Sequence, residues 1–438
     1  MLDAGFDLLV IGGGPAGLMA ARTAARLGLR TLLLEKLPRP GELAHPCGGV
    51  IAPLPGFVSG RRTGEGLYFP ELDLLIPAAL VIGQPSVLRY VSPGGRTFAA
   101  TFPRRDDFPI AAVDKPALLR LLAGEATAAG AELRWGVAVT GLLKADGRIV
   151  GVRTRQEEIR ARIVLSAEGV TRRFTEAAGL YDDAAPARRY AFIVSEEVEA
   201  PAVQAHHVGQ LNTFGRRYTS APTPAFGAVV VPAPGRAGIY FSLFADTPRL
   251  YTDKPLWYYV EEYRQNDPRV SELFKGAQVI RRAGMRMTIR QAPRRVVADG
   301  LVGVGDSITP GGHVGVIPAM FLGQRAAHCA ARAIRTDDLS ARGLAEYDRL
   351  FHGPFLRGLD TESKIITGLA AMSDEELDRL SQTLSQINLA PFFFGRWQPM
   401  MVETLKWLVT GFPLILRDWR LIRRMMVGEA VAQDPKGL

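Results

Sequence analysis

A chain of 438 residues, 47% apolar and 22% charged, has the composition of a globular protein with two or three domains and a sizeable core. Its net charge of +9 comes without a long run of like charge or a nucleic-acid motif, which excludes a disordered basic arm and argues against a nucleic-acid partner. Two cysteines, Cys47 and Cys329, exclude a disulfide framework and point to a reducing compartment, with a single Cys47–Cys329 bridge left open.

Leu8 to Ile11 is an apolar run without alternation and predicts a buried parallel strand. It lies so near the amino terminus that no targeting peptide is expected, which places the protein in the cytoplasm or on the cytoplasmic face of a membrane. Gly12, Gly14 and Gly17 follow at G-x-G-x-x-G spacing, with Pro15 and Ala16 opening an Ala-rich helix to about Leu27. These glycines suit a tight turn, close approach to a pyrophosphate and close helix–strand packing. The helix N-terminus would face the phosphates. A second strand, Thr31 to Leu34, ends in Glu35, the acid that this fingerprint places about 20 residues on to bond a ribose. An acid there disfavours a 2′-phosphate, so NADP is not expected at this site.

Asp114 and Pro116 mark the start of another helix, as cap and first turn. Ala161 to Ser166 predicts a strand ending at Glu168 and Gly169. The runs 191–194, 228–231 and 238–244 predict antiparallel strands, followed by a helix over 256–265. Leu301 to Gly305 predicts a buried strand with Asp306 at its C-terminal end, where ligands bind in open α/β sheets. Pro310, Gly311, Gly312 and Gly315 then precede a helix over 316–334 whose N-terminus would favour negative charge on a reduced flavin. The two glycine signatures together point to one flavin adenine dinucleotide (FAD), gripped at both ends.

The fold class is therefore α/β, with a discontinuous Rossmann-like FAD-binding domain over 1–60, 105–178 and 285–336. A mainly antiparallel substrate domain is expected over 61–104 and 179–284, and a helical C-terminal region over 337–438. In that last region Trp397, Met401, Leu405 and Leu408 share one helical face, and Ile415, Trp419, Ile422 and Met426 another. Arg417, Arg420 and Arg424 lie opposite the second stripe. Such helices either pack on the protein's own core or lie on a membrane surface; they are too short and interrupted for a span of about 20 residues.

With those motifs in place, the chain resembles the flavoprotein hydroxylases of the para-hydroxybenzoate hydroxylase type and, among them, the geranylgeranyl reductase family. The stretch Pro46-Cys47-Gly48-Gly49 is the more discriminating match, since that family carries a Cys-Gly-Gly segment after its second strand. The chain departs from the family at Glu168 (usually Asp), at Lys115 (usually Arg) and at 227–232, which keeps Pro232 and lacks the family's prenyl-pocket aromatics. The resemblance implies FAD contacts at Gly12, Gly14, Pro15, Ala16, Gly17, Glu35, Lys36, Cys47, Gly48, Gly49, Arg120, Glu168, Gly169, Gly305, Asp306, Pro310, Gly312, His313 and Val314. It implies reduction of carbon–carbon double bonds in a geranylgeranyl or other isoprenoid lipid, with hydride from reduced FAD. NADPH, a ferredoxin-like carrier or another donor would visit transiently, as no second dinucleotide fingerprint is present.

Cys47 and His313 are the candidate catalytic side chains, Cys47 as proton donor or ring contact, His313 from its place in the second glycine segment. No metal site is expected, because His45 with Cys47 is not a ligand set and His206-His207 has no further ligands. Ser307 and Thr309 read as turn formers. Two other functions share this fold: a flavin monooxygenase of an aromatic or polyene substrate, and a non-catalytic prenyl-lipid carrier.

Overall fold

The computed structural model describes residues 5–427 except 85–86, 102–105, 108–109, 182–188, 204–209, 216–224, 246, 250–251, 269, 311–314, 358, 360–367, 370–371, 387, 389–400, 402–404 and 407–411. The chain opens on β1 (Phe6–Ile11), α1 (Pro15–Arg26) and β2 (Thr31–Glu35), as the glycine spacing predicts. It continues through α2 (Lys115–Ala128) and β3 (Glu158–Ser166). Asp114 caps α2 by accepting a hydrogen bond from the Ala117 amide at 2.9 Å. Next come β4 (Arg189–Glu199), β5 (Ala225–Ala233), β6 (Arg236–Ala245), α3 (Leu256–Asn266) and β7 (Gln278–Ile289). Then follow β8 (Leu301–Gly303), α4 (Val316–Arg335), α5 (Asp374–Leu384) and α6 (Phe412–Val427).

The first sheet has a parallel core in the order Glu132–Trp135, β2, β1, β3, β8. Its central strands are apolar on both faces because both faces are covered. α1, α2 and α4 lie in the core on one side; Phe174, Leu180 and Tyr181 cover the other. β8 stops at Gly303, short of the expected Gly305, because Gly305 takes φ +66° and opens a single 3-10 turn, Gly305–Ser307. The hairpin over 66–77 packs Leu67, Phe69, Leu72, Leu74 and Ile76 into the α1 side of this core. Arg22, only 3% exposed, ties these parts together: it donates to the Leu72 carbonyl at 3.1 Å and pairs with Glu125 of α2 at 2.5 Å.

The second sheet runs β7, β4, β6, β5, Gln210–Gly215, Val87–Val91, Thr97–Thr101. Its neighbours are antiparallel except the 210–215/87–91 pair. α3 buries Tyr259, Val260 and Tyr263 against it. Gly227 accommodates one of these rings: a Cβ there would stand 2.6 Å from Tyr263 Cζ.

α5 starts with a reciprocal cap, Ser373 Oγ accepting from the Glu376 amide and Glu376 accepting from the Ser373 amide. α6 lies on it, burying Ile415, Leu421 and Ile422 against Leu377, Leu380 and Leu384. Between them sits Asp418, with no exposed surface, accepting from Thr383 Oγ1 at 2.8 Å, Arg379 Nε at 3.1 Å and Arg417 Nη2 at 2.7 Å. The stripe expected on α6 is thus divided. Ile415 and Ile422 serve the protein's own core, while Trp419 at the flank of that stripe is 57% exposed, as is Leu416 beside it at 63%. Met401 and Leu405 are exposed; Trp397 and Leu408, and the side chain of Met426, lie outside the described residues. Among the described residues no helix is long and apolar enough to cross a membrane.

Candidate functional site

The first glycine segment forms at the carboxyl end of β1. Gly12 takes φ +104°, and a Cβ there would stand 2.4 Å from the Ala167 carbonyl oxygen of the neighbouring strand end. A Cβ on Gly17 would stand 1.9 Å from the Gly12 carbonyl oxygen, so α1 rests directly on the turn. Gly14 is different: nothing lies within 4 Å of its Cβ position. α1 begins there with Pro15 in its first turn and no side-chain cap. Its first amides and dipole therefore face open space. Glu35 closes the loop from β2, accepting from the Gly13 amide at 2.5 Å and the Leu37 amide at 2.8 Å. Lys36 is exposed just beyond, and Arg120 is exposed on α2 with its Nη1 beside Gly41.

The second signature meets the first. A Cβ on Gly305 would lie 3.2 Å from Ala16 Cβ, and one on Gly323 of α4 only 2.1 Å from the Ala16 carbonyl oxygen. The two segments thus lie directly side by side. Asp306 is half-buried next to them. Ser307 is a turn former, as expected: its hydroxyl donates to the Ser166 carbonyl at 3.0 Å and accepts from the Val304 amide at 3.2 Å. α4 starts at Gly315 without a side-chain cap. Pro310 is buried; Gly311, Gly312, His313 and Val314 lie outside the described residues.

Glu168 stands at the end of β3, but its carboxylate turns to the short helix Arg173–Ala177. It accepts from the Phe174 and Thr175 amides at 2.9 Å and from Ser166 Oγ at 3.0 Å. Burial raises its pKa, and those hydrogen bonds pull the other way. Gly169 beside it takes φ +72°.

The Cys-Gly-Gly segment bridges the two halves of the molecule. Gly49, at φ +63°, packs edge-on to the strand Ala111–Val113 and accepts from the Val113 amide at 2.9 Å. Gly48 faces the second sheet: its Cβ position is 3.5 Å from Val230 and 3.7 Å from the Tyr240 hydroxyl. Cys47 is a half-buried free thiol, and Cys329 is a buried free thiol, so no bridge joins them. His45 Nδ1 lies 3.0 Å from the Pro46 carbonyl, which requires the proton on that nitrogen. Burial, and then the Lys115 cation, hold the imidazole below its ordinary pKa, against the pull of the Pro46 carbonyl and Asp306. Lys115 is itself buried, at 6% exposure.

Several residues at this site had no local signal in the sequence. Tyr240, Glu197 and Arg281 arrive on three different strands of the second sheet, aligned only by strand pairing. Arg172, 1% exposed and in a left-handed conformation at φ +55°, donates to the Thr288 carbonyl at 2.9 Å and to the Thr309 carbonyl. Its guanidinium and that of Arg290 both lie over the Tyr181 ring, at 5.6 and 4.3 Å. It anchors the segment after Asp306 to the second sheet.

Open space at Gly14 where α1 begins, a second uncapped N-terminus at Gly315 and the close packing of the two glycine segments fit an anionic dinucleotide. The fold and site define a flavoprotein-type oxidoreductase. Family models described as FAD dependent oxidoreductase match residues 7–171 and 108–328, and the chain belongs to that family. It is similar to the digeranylgeranylglycerophospholipid reductase of Thermoplasma volcanium, with 28% identity over 87% of this chain and 92% of that protein. The protein of the same name from Methanosphaerula palustris is 24% identical over 95% of this chain and 98% of its own length. Among solved structures, a geranylgeranyl bacteriochlorophyll reductase-like protein from Thermoplasma acidophilum superposes with a TM-score of 0.74 at 21% identity, covering 95% of this chain and 99% of that one. Halogenase PltM in complex with phloroglucinol and FAD gives 0.63 at 14% identity, over 94% and 86%. The resemblance to the geranylgeranyl reductases drawn from residues 46–49 stands on these relatives.

Proposed function

We propose that this FAD-dependent oxidoreductase reduces carbon–carbon double bonds in an isoprenoid lipid, the substrate class named for its relatives. The observation that carries the reading is the placement of Cys47-Gly48 between the two sheets: Gly48 lies against Val230 of β5 and Tyr240 of β6, and His45 beside it feels the charge of Asp306. FAD, when bound, supplies hydride to one alkene carbon. Gly12–Gly17 and Glu35 hold the adenosine and pyrophosphate end; Gly305, Asp306 and Pro310, with Gly312, His313 and Val314, hold the flavin end. Lys36, Arg120 and the Glu168-Gly169 turn border the groove, Glu168 by fixing its backbone. The second sheet orients the prenyl chain and excludes water, because an unactivated alkene offers no polar handle for catalysis. Reducing equivalents come from NADPH or a ferredoxin-like carrier that docks transiently. The parallel-sheet unit is the FAD-binding domain and the seven-stranded sheet the substrate domain.

Anaerobic incubation of the dithionite-reduced protein with geranylgeranyl lipids should yield products heavier by about two mass units per saturated bond. Products formed only with oxygen would replace this reading by a monooxygenase. A colourless protein that takes up no FAD would replace it by a lipid carrier.

The exposed face of α6 supports peripheral contact with an anionic membrane. Leu416, Trp419, Arg420 and Arg423 follow i, i+3, i+4, i+7 spacing and all are exposed, an interfacial composition. Co-sedimentation with phosphatidylglycerol vesicles is expected, weakened roughly tenfold by Trp419→Asp and by high salt. Equal sedimentation of the variant would remove this face from the membrane-binding surface.

A further inference from the structure

Tyr240 is the side chain in the cleft that the flavin-site residues leave unexplained. It stands on β6 opposite Ala228 of β5. Two glycines clear its place. A Cβ on Gly238 would stand 3.0 Å from the ring, and the hydroxyl reaches to 3.7 Å from the Cβ position of Gly48. The ring is half-buried, and among the described residues nothing accepts a hydrogen bond from its hydroxyl. The hydroxyl is therefore free to meet a ligand or water.

Its ionisable neighbours are Cys47, Glu197 and Arg281. Arg281 comes from β7, is paired with Glu197 of β4, and donates to the Leu43 carbonyl at 3.4 Å. It therefore spans from the second sheet to the loop that carries Cys47. Burial pushes the Tyr240 phenol far above the ordinary tyrosine range; Cys47 and Glu197 push the same way, and Arg281 pulls back. Burial thus holds the proton on the phenol, and Arg281 is the neighbour whose charge favours its release.

We propose that Tyr240 is the proton donor of the alkene reduction, with Arg281, oriented by Glu197, as the positioning residue that stabilises the phenolate formed. The assignment rests on the reductase reading above. In the step, the alkene π bond breaks. Hydride from reduced FAD forms a C–H bond at one carbon, and the Tyr240 proton forms a C–H bond at the other. The alkene gains two electrons, the flavin loses two, and the phenolate recovers its proton from water. Cys47 shapes the electrostatics of the donor rather than supplying the proton.

The test uses full-length FAD-loaded protein and geranylgeraniol in deuterated buffer, with single-turnover and steady-state rates. Tyr240→Phe should lower kcat about 100-fold or more, with KM, flavin content and melting temperature close to wild type. Arg281→Met should lower kcat and also slow iodoacetamide alkylation of Cys47 severalfold in the flavin-free protein, where no turnover occurs. Cys329 is buried, and Cys47→Ser provides the alkylation blank. Arg281→Lys should recover part of both effects. Wild-type turnover by Tyr240→Phe overturns the donor role while the reductase reading survives. Alkylation indifferent to Arg281 overturns the coupled unit. A wild-type protein inert toward prenyl substrates, with Cys47 still coupled to Arg281, overturns the reductase reading and the donor role with it.

Discussion

Gly17→Ala should yield a protein that retains no FAD through purification and melts well below wild type. The added methyl would stand 1.9 Å from the Gly12 carbonyl oxygen, 3.1 Å from its carbon and 3.3 Å from Val10 Cγ1. Two of those three atoms are backbone, so no rotamer change relieves the clash. α1 would have to retreat from β1. It cannot do so freely, because Gly323 of α4 already packs against the Ala16 carbonyl from the other side. Overpacking of this kind costs about 3 kcal/mol, at the upper end for core insertions. Gly14→Ala is the informative partner. Nothing lies within 4 Å of its Cβ, so the fold and melting temperature should be unchanged. Only FAD affinity should fall, because the methyl occupies the approach to the pyrophosphate. Flavin absorbance per mole of protein, with thermal melts, separates the two. A Gly14→Ala protein as yellow as wild type would move the pyrophosphate elsewhere.

Arg172→Ala should be the most destabilising single polar substitution in the groove wall, by about 3–5 kcal/mol. The guanidinium is almost fully buried and serves the Thr288 and Thr309 carbonyls. Its removal leaves two buried acceptors and a cavity under Tyr181. Burial lowers the Arg172 pKa, with Arg290 adding to the effect and Tyr181 and Asp306 opposing it, yet a guanidinium remains charged throughout the accessible pH range. Lysine is not a substitute, since a point charge cannot span both carbonyls. Arg172→Lys should therefore recover little of the lost stability, and FAD should dissociate faster from both variants because the segment after Asp306 loses its anchor. Denaturant melts and flavin release rates check this. A loss under about 1 kcal/mol in Arg172→Ala would mean that Thr288 and Thr309 find other donors.

The elements around the flavin groove were legible because each is specified by neighbours in sequence. Glycine spacing, a cap at Asp114 and apolar runs all act within a turn or a strand, and β1, α1, β2, α2 and α4 follow them closely. The family resemblance implies that Glu168 lines the groove, and its place at a strand end agrees. Its side chain bonds backbone amides six and seven residues on, which strand position alone does not predict. The α6 stripe left its partner open for a related reason. Apolar spacing says that a face is buried or greasy, but not against what, and Asp418, an acid within the buried face, is tolerated only because Arg379, Arg417 and Thr383 surround it.

By itself the amino-acid sequence determined the nucleotide-binding turn, the acid that closes it and the class of cofactor, since those depend on backbone freedom and short-range spacing. Tertiary structure alone decided which side chains gather around Cys47. Tyr240, Glu197 and Arg281 lie on strands far apart in the chain, and their meeting beside Cys47 follows from antiparallel register and from the docking of one sheet on the other. Each is an ordinary surface-like residue until pairing buries it with charged partners, and no local pattern carries that information.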